Sequence, residues 1–236
     1  MNTSPSFATV AHRLGLVLPD LLTRLLASGR TNYVADWPST WRERMLTAPP
    51  PLYSCFDFEW IDAASSQQTI DRWLRPEFQN GRIFLPFARS GAGDALCLMP
   101  IAGAALGVAH VFHDSENSQL GYNSLQDFVC VRYLETFADM GHLFDSEFSE
   151  QEVVEIVRTD VRQMSEFLDP LVAAYLLSFC QRSPEYRIDS DSRQKQPDKL
   201  FSLISQEELA HEMLKFPAPG LTPFPVVARW EVPRNE

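Results

Sequence analysis

Residues 82–100 read RIFLPFARSGAGDALCLMP, and the fold turns on what Ser90 to Ala95 does in the middle of them. Two glycines two positions apart suggest a phosphate cradle. Such a cradle opens a helix directly after a strand, so that free N–H groups face the anion. Here Asp94 to Met99 carries no amphipathic helical stripe, and Pro100 closes the run. No lysine accompanies the glycines. Ile83 to Phe87 reads as a short buried strand, so strand, glycine turn and second strand make a hairpin, with glycine supplying the positive φ of the turn.

Working outward, short strands joined by tight turns favour an antiparallel meander, because parallel pairing needs long crossovers. LYSCFDFEWI (52–61) alternates as a strand should, and VAHVFHD (108–114) supplies a third after a loose turn at 103–107. Asn80-Gly81 turns the chain into the hairpin. On the N-terminal side, 5–13 predicts a short helix closed by Gly15. LVLPDLLTRLLASGR then places Pro19 at a helix start and Gly29 just past its end. The segment with Trp37, Pro38, Trp41 and Pro49 to Pro51 reads as an irregular connection, and 67–78 as a helix. Ser124 is positioned to cap a helix carrying Leu125, Phe128, Val129 and Phe137.

Beyond Gly141 the character changes. Ser149-Glu150-Gln151-Glu152 is a capping box, and Val153, Ile156, Val157, Val161, Met164 and Leu168 form the apolar stripe of its helix. Asp169-Pro170 starts a helix that is apolar nearly all round, which predicts a central place in its own packing layer. A polar stretch from Arg182 to Lys199 reads as a loop, and Ser205 to Glu208 as a second capping box. PVVARWEV (225–232) is strand-like. The expectation is an α+β fold: a mostly antiparallel sheet flanked by helices over residues 1–140, then a helical extension with a proline-rich tail over 141–236.

The chain has 236 residues, 16 of them phenylalanine, enough to fill a sizeable core. No run is long enough to span a bilayer. MNTSPSFATVAHR lacks the features of a secretory signal, so a cytoplasmic location is expected. Cys55, Cys97, Cys130 and Cys180 are scattered without metal or redox spacing, and are expected to be reduced and buried. The net charge of −11 argues against direct nucleic-acid binding and for a basic protein partner. The acid is uneven: eleven carboxylates fall between Asp114 and Asp160, opposed there by Arg132 and Arg158 alone.

Three segments, in this order, resemble the SUKH superfamily of bacterial toxin-immunity proteins and fungal cell-wall-synthesis regulators. They are RLGLVLPDLLTRLLASG, then RIFLPFARSGAGDALCL with its Pro-Phe-Ala, glycine turn and Gly-Asp, then VAHVFHDSENSQLGYNSLQDFV. The resemblance covers roughly residues 10–140. It implies a compact α+β scaffold without a shared catalytic constellation, whose surface grips a partner protein, commonly a toxin. Gly93 and Asp94 match the family's Gly-Asp pair; with Gly91 they are expected to be architectural, a turn and a carboxylate that bonds backbone amides.

Ser90, His110, His113 and Asp114 can be written as a hydrolase triad, and His110, His113, Asp114 and Cys97 as a metal set. Three positions apart on a strand, the two histidines should face opposite sides, which disfavours both. Ser90 also lacks the nucleophile-elbow pattern. No cofactor, metal or catalytic residue is therefore expected. The leading expectation is an immunity protein that blocks a toxin's active site or substrate groove, using Asp114, Glu116, Asp139, Asp145 and Glu147 against a basic surface. A regulatory scaffold is the alternative, and a hydrolase ranks third.

Overall fold

The structure is a computed structural model and describes residues 5–102, 105–188, 199–217 and 222–233. The fold is α+β, and the chain divides into two compact units. The first comprises residues 1–32, 57–128 and 217–236; the second comprises 33–56 and 129–216.

The first unit is built on a sheet that has six strands among the described residues. They are β1 (Glu59–Trp60), β2 (Leu85–Arg89), β3 (Ala95–Pro100), β4 (Leu106–Val111), β5 (Asn117–Tyr122) and, last in the chain, β8 (Thr222–Pro225). All pairings are antiparallel, in the spatial order β1-β2-β3-β4-β5-β8. Both faces of the sheet are covered. Trp73, Leu74, Phe84, Cys97, Ala109 and Phe224 form one buried cluster. Phe58, Trp60, Phe87, Tyr122 and Phe128 form a chain of ring contacts at 5.1–6.0 Å between centroids. Two-sided burial explains why β2 reads as an unbroken apolar run.

Helix α1 (Phe7–Arg13) is capped by Ser6, and α2 (Asp20–Ser28) ends at Gly29 with φ 71°. Helix α4 (Ala63–Thr69) starts at Asp62 and relaxes into a π turn over Ile70–Leu74, so helical structure stops four residues short of the expected Phe78.

The hairpin is present as expected. Ser90 N donates to Asp94 O and Gly93 N to Ser90 O, both at 3.0 Å, leaving a three-residue loop with Gly93 at φ 95°. No helix follows the glycines; β3 does.

Helix α5 (Leu125–Ala138) divides between the units after Phe128, and Ser124 caps it through a 3.0 Å bond from Asp127 N. The second unit also holds α3 (Trp37–Thr47), a 3-10 turn (Gly141–Ser146), α6 (Glu150–Ser165), α7 (Pro170–Phe179), the hairpin β6 (Glu185–Ile188) with β7 (Lys199–Ser202), and α8 (Gln206–Met213). The Ser149–Glu152 capping box is closed in both directions, and Ser205 Oγ accepts from Glu208 N.

Several elements differ from the reading of the sequence. The tryptophan- and proline-rich segment is helix α3, because Pro38 lies in the first turn, where no intrahelical N–H is required. Residues 52–58 are not a strand: the N–H groups of Leu52 and Ser54 are turned onto a buried carboxylate, and pairing begins only at Glu59. The acidic stretch after β4 contains β5, while the tail strand is Thr222–Pro225 rather than PVVARWEV. Helix α7 is not central, since Leu171 is 82% exposed while Ala173, Leu176 and Phe179 are buried. The polar loop is in part the β6–β7 hairpin; its residues 189–198 lie outside those described, as do 103 and 104 of the expected turn. The two compact units also differ from a single cut at residue 140. The tail contributes β8 to the sheet, and 33–56 joins the helical unit through α3.

Candidate functional site

The polar centre of the first unit is Asp94, at the mouth of the β2–β3 hairpin. Its register with β4 brings it to the point where the β3–β4 ladder stops, at Ala95 opposite Val111. Past that point the chain leaves the sheet. Phe112 N bonds to Ser118 Oγ and His113 N to Asp94 Oδ1, both at 3.0 Å, so side chains take over from the ladder. His113 Nδ1 lies 2.7 Å from the same Asp94 oxygen, and His110 Nε2 lies 3.3 Å from Asp94 Oδ2. Ser90 completes the cluster. Its Oγ accepts from Asp94 N at 3.0 Å and lies 3.3 Å from Asp94 Oδ2.

The convergence overturns the expectation that His110 and His113 point to opposite sides. Alternation holds only while the strand continues, and β4 ends at Val111. Burial pulls the Asp94 carboxyl upward, yet the two bonds from His113 and the charges of His110 and His113 outweigh it. The group lies below the usual carboxylate range. The imidazoles therefore clamp an ionised Asp94. Ser90 is 2% exposed and pairs with the Asp94 carboxylate.

The turn residues Gly91 and Gly93 serve this geometry. Gly91 N donates to Asp57 Oδ1 at 2.5 Å. Gly93 takes the positive φ that places Asp94 back in register.

Asp114 and Glu116 follow His113 on the exposed β4–β5 loop, and among the described residues no cationic side chain pairs with either. Beside His113 opens a cavity of about 610 Å³, walled by Asp71, Arg72, Arg229 and Trp230 as well. Trp230 is 61% exposed and meets the His113 ring edge-on at 6.3 Å.

The other three acidic residues belong to the second unit. Asp139 is half-buried and accepts from Gly141 N at 2.8 Å, while Asp145 is exposed on the 3-10 turn and Glu147 is exposed just past its end. Arg42 donates to the Ser146 and Glu147 carbonyls, which adds positive charge to that turn. Five carboxylates that look continuous in sequence are thus distributed over two units.

Sequence reading missed Phe56, which is 64% exposed. It stands 5.5 Å from the His142 ring over a cavity of about 370 Å³ that Glu135, Thr136 and Asp139 also line. Arg132 donates to the Phe56 carbonyl, holding the loop in place. Burial raises the Glu135 carboxyl and lowers His142. Nothing in the alternating run 52–61 marks Phe56 as outward-facing.

Among the described residues, no helix is long and apolar enough to cross a membrane. Comparison with family models, with curated proteins and with solved structures finds no match to this chain.

Proposed function

We propose that this chain is a non-catalytic immunity-type protein that binds a toxin with a basic surface and occludes its active site or substrate groove. The observation that carries the reading is the Asp94 clasp. Bonds from the main chain and ring of His113 fix the root of the β4–β5 loop, and beyond that root Asp114 and Glu116 stand exposed, without cationic partners among the described residues. A rigid, unneutralised acidic loop on a protein of net charge −11 steers and orients a basic ligand at small ordering cost.

Inhibition needs affinity without turnover. Ser90 Oγ, both Asp94 carboxylate oxygens and His113 Nδ1 are engaged with each other and with the backbone, which favours binding over nucleophilic chemistry. In the second unit, Phe56 beside Asp139 and Glu135 is the kind of exposed aromatic with an acidic rim that anchors a protein contact. The SUKH-like segments include the clasp and the acidic loop, in keeping with the same role.

Co-expression with the product of the adjacent gene tests the proposal. A toxic neighbour whose toxicity this chain suppresses is the expected result. A neighbour without toxicity, or toxicity that persists beside well-expressed chain, contradicts it.

A further inference from the structure

We propose that Asp94, His113 and Asp114 bind one divalent transition-metal ion of the zinc type, a property that does not depend on the toxin partner. A carboxylate oxygen of Asp94, a ring nitrogen of His113 and a carboxylate oxygen of Asp114 all lie within 4.8 Å of one another. Asp94 Oδ1 and His113 Nδ1 are already 2.7 Å apart. Two ligands at the zinc distance of about 2.0–2.1 Å in a tetrahedron stand about 3.3 Å apart. A small adjustment at the loop root, where Asp114 is exposed, brings the three ligands around an ion.

Ligand chemistry selects the metal. One imidazole with two carboxylates suits Zn²⁺, Co²⁺ or Ni²⁺, whereas Ca²⁺ and Mg²⁺ prefer all-oxygen sites and Cu⁺ prefers sulfur. The four cysteines are buried and none belongs to the set.

Asp94 is held in advance by Ser90 and by the main-chain N–H of His113, the kind of outer contact that orients a metal ligand. His110 Nε2, 3.3 Å from the other Asp94 oxygen, places a second imidazole at the margin. The ion takes the place of the proton that Asp94 and His113 share, and that proton leaves to solvent. Three protein ligands leave a fourth position for water. His113 also faces the 610 Å³ cavity, which supplies a route from solvent.

Calorimetric titration of the chelator-treated full chain with Zn²⁺ at neutral pH tests the proposal. One saturable site per chain is expected. Asp114→Asn and His113→Gln each weaken it at least about tenfold, while Glu77→Gln, at an exposed carboxylate of the same unit outside the set, leaves it unchanged. Asp114 is exposed, so its variant retains the fold, which circular dichroism verifies. Absence of a saturable site, unchanged affinity in Asp114→Asn and His113→Gln, or equal displacement by Mg²⁺ overturns the assignment.

Discussion

A single oxygen of Asp94 accepts two bonds from His113, from the main-chain N–H at 3.0 Å and from ring Nδ1 at 2.7 Å. The carboxylate of the β2–β3 turn thereby continues a ladder that the backbone has abandoned. A charged, buried acceptor of this kind contributes more than a neutral bond. Asp94→Ala should cost about 2–3 kcal/mol in urea unfolding, since it orphans the His113 amide. His113→Ala should cost less, because the main-chain bond survives.

The two turn glycines should behave differently. A Cβ at Gly93 meets no atom within 4 Å, but its φ of 95° is strained for any other residue. Gly93→Ala should therefore cost about 1–2 kcal/mol. Gly91 has an ordinary φ, and its Cβ would approach the tip of exposed Asp57 at 3.1 Å, which can give way. Gly91→Ala should cost less than about 1 kcal/mol by the same assay.

Asp160, buried in α6, accepts from Leu52 N, Ser54 N and Tyr133 Oη at 2.7–2.9 Å. Burial pushes its carboxyl up to about 6, against the pull of these donors. The folded state thus holds this proton more tightly than the unfolded chain does. The associated stability is complete below about pH 4 and is lost as pH rises through about 6. The span of about two pH units is equivalent to about 3 kcal/mol. Asp160→Asn should flatten that slope in pH-dependent chemical unfolding. It should also destabilise the protein by about 1–3 kcal/mol, because the backbone N–H groups of Leu52 and Ser54 each use one carboxylate oxygen and the amide offers only one acceptor oxygen.

Phe128 joins the ring contacts of Phe58, Phe87 and Tyr122 and is 1% exposed. Phe128→Ala should cost about 3–5 kcal/mol, read as a lowered midpoint in thermal unfolding. Phe56→Ala, at an exposed ring, should leave the unfolding free energy within about 0.5 kcal/mol of the parent.

Local chemistry made the hairpin legible. A glycine turn between apolar runs needs no distant information, and neither do the Ser149 cap or the Pro19–Gly29 helix. What remained hidden depends on partners far along the chain. Strand β8 exists because β5 offers it an edge about a hundred residues earlier. Residues 52–54 escape the strand because Asp160, more than a hundred positions on, captures their amides. The Asp94 cluster was missed for a related reason. Its ingredients were recognised, but the two histidines meet only because β4 stops at Val111, and the end of a ladder is set by pairing rather than by composition. The even spread of acid between residues 114 and 160 likewise concealed a division between two folded units.

If the acidic loop rooted at His113 engages a basic toxin as proposed, association of the purified partner will differ between the parent chain and the double charge reversal Asp114→Lys, Glu116→Lys. The expected result is an affinity loss of at least about tenfold, carried largely by slower association and diminished at high salt. An unchanged association rate and affinity in the double variant, with its fold intact, would contradict the claim.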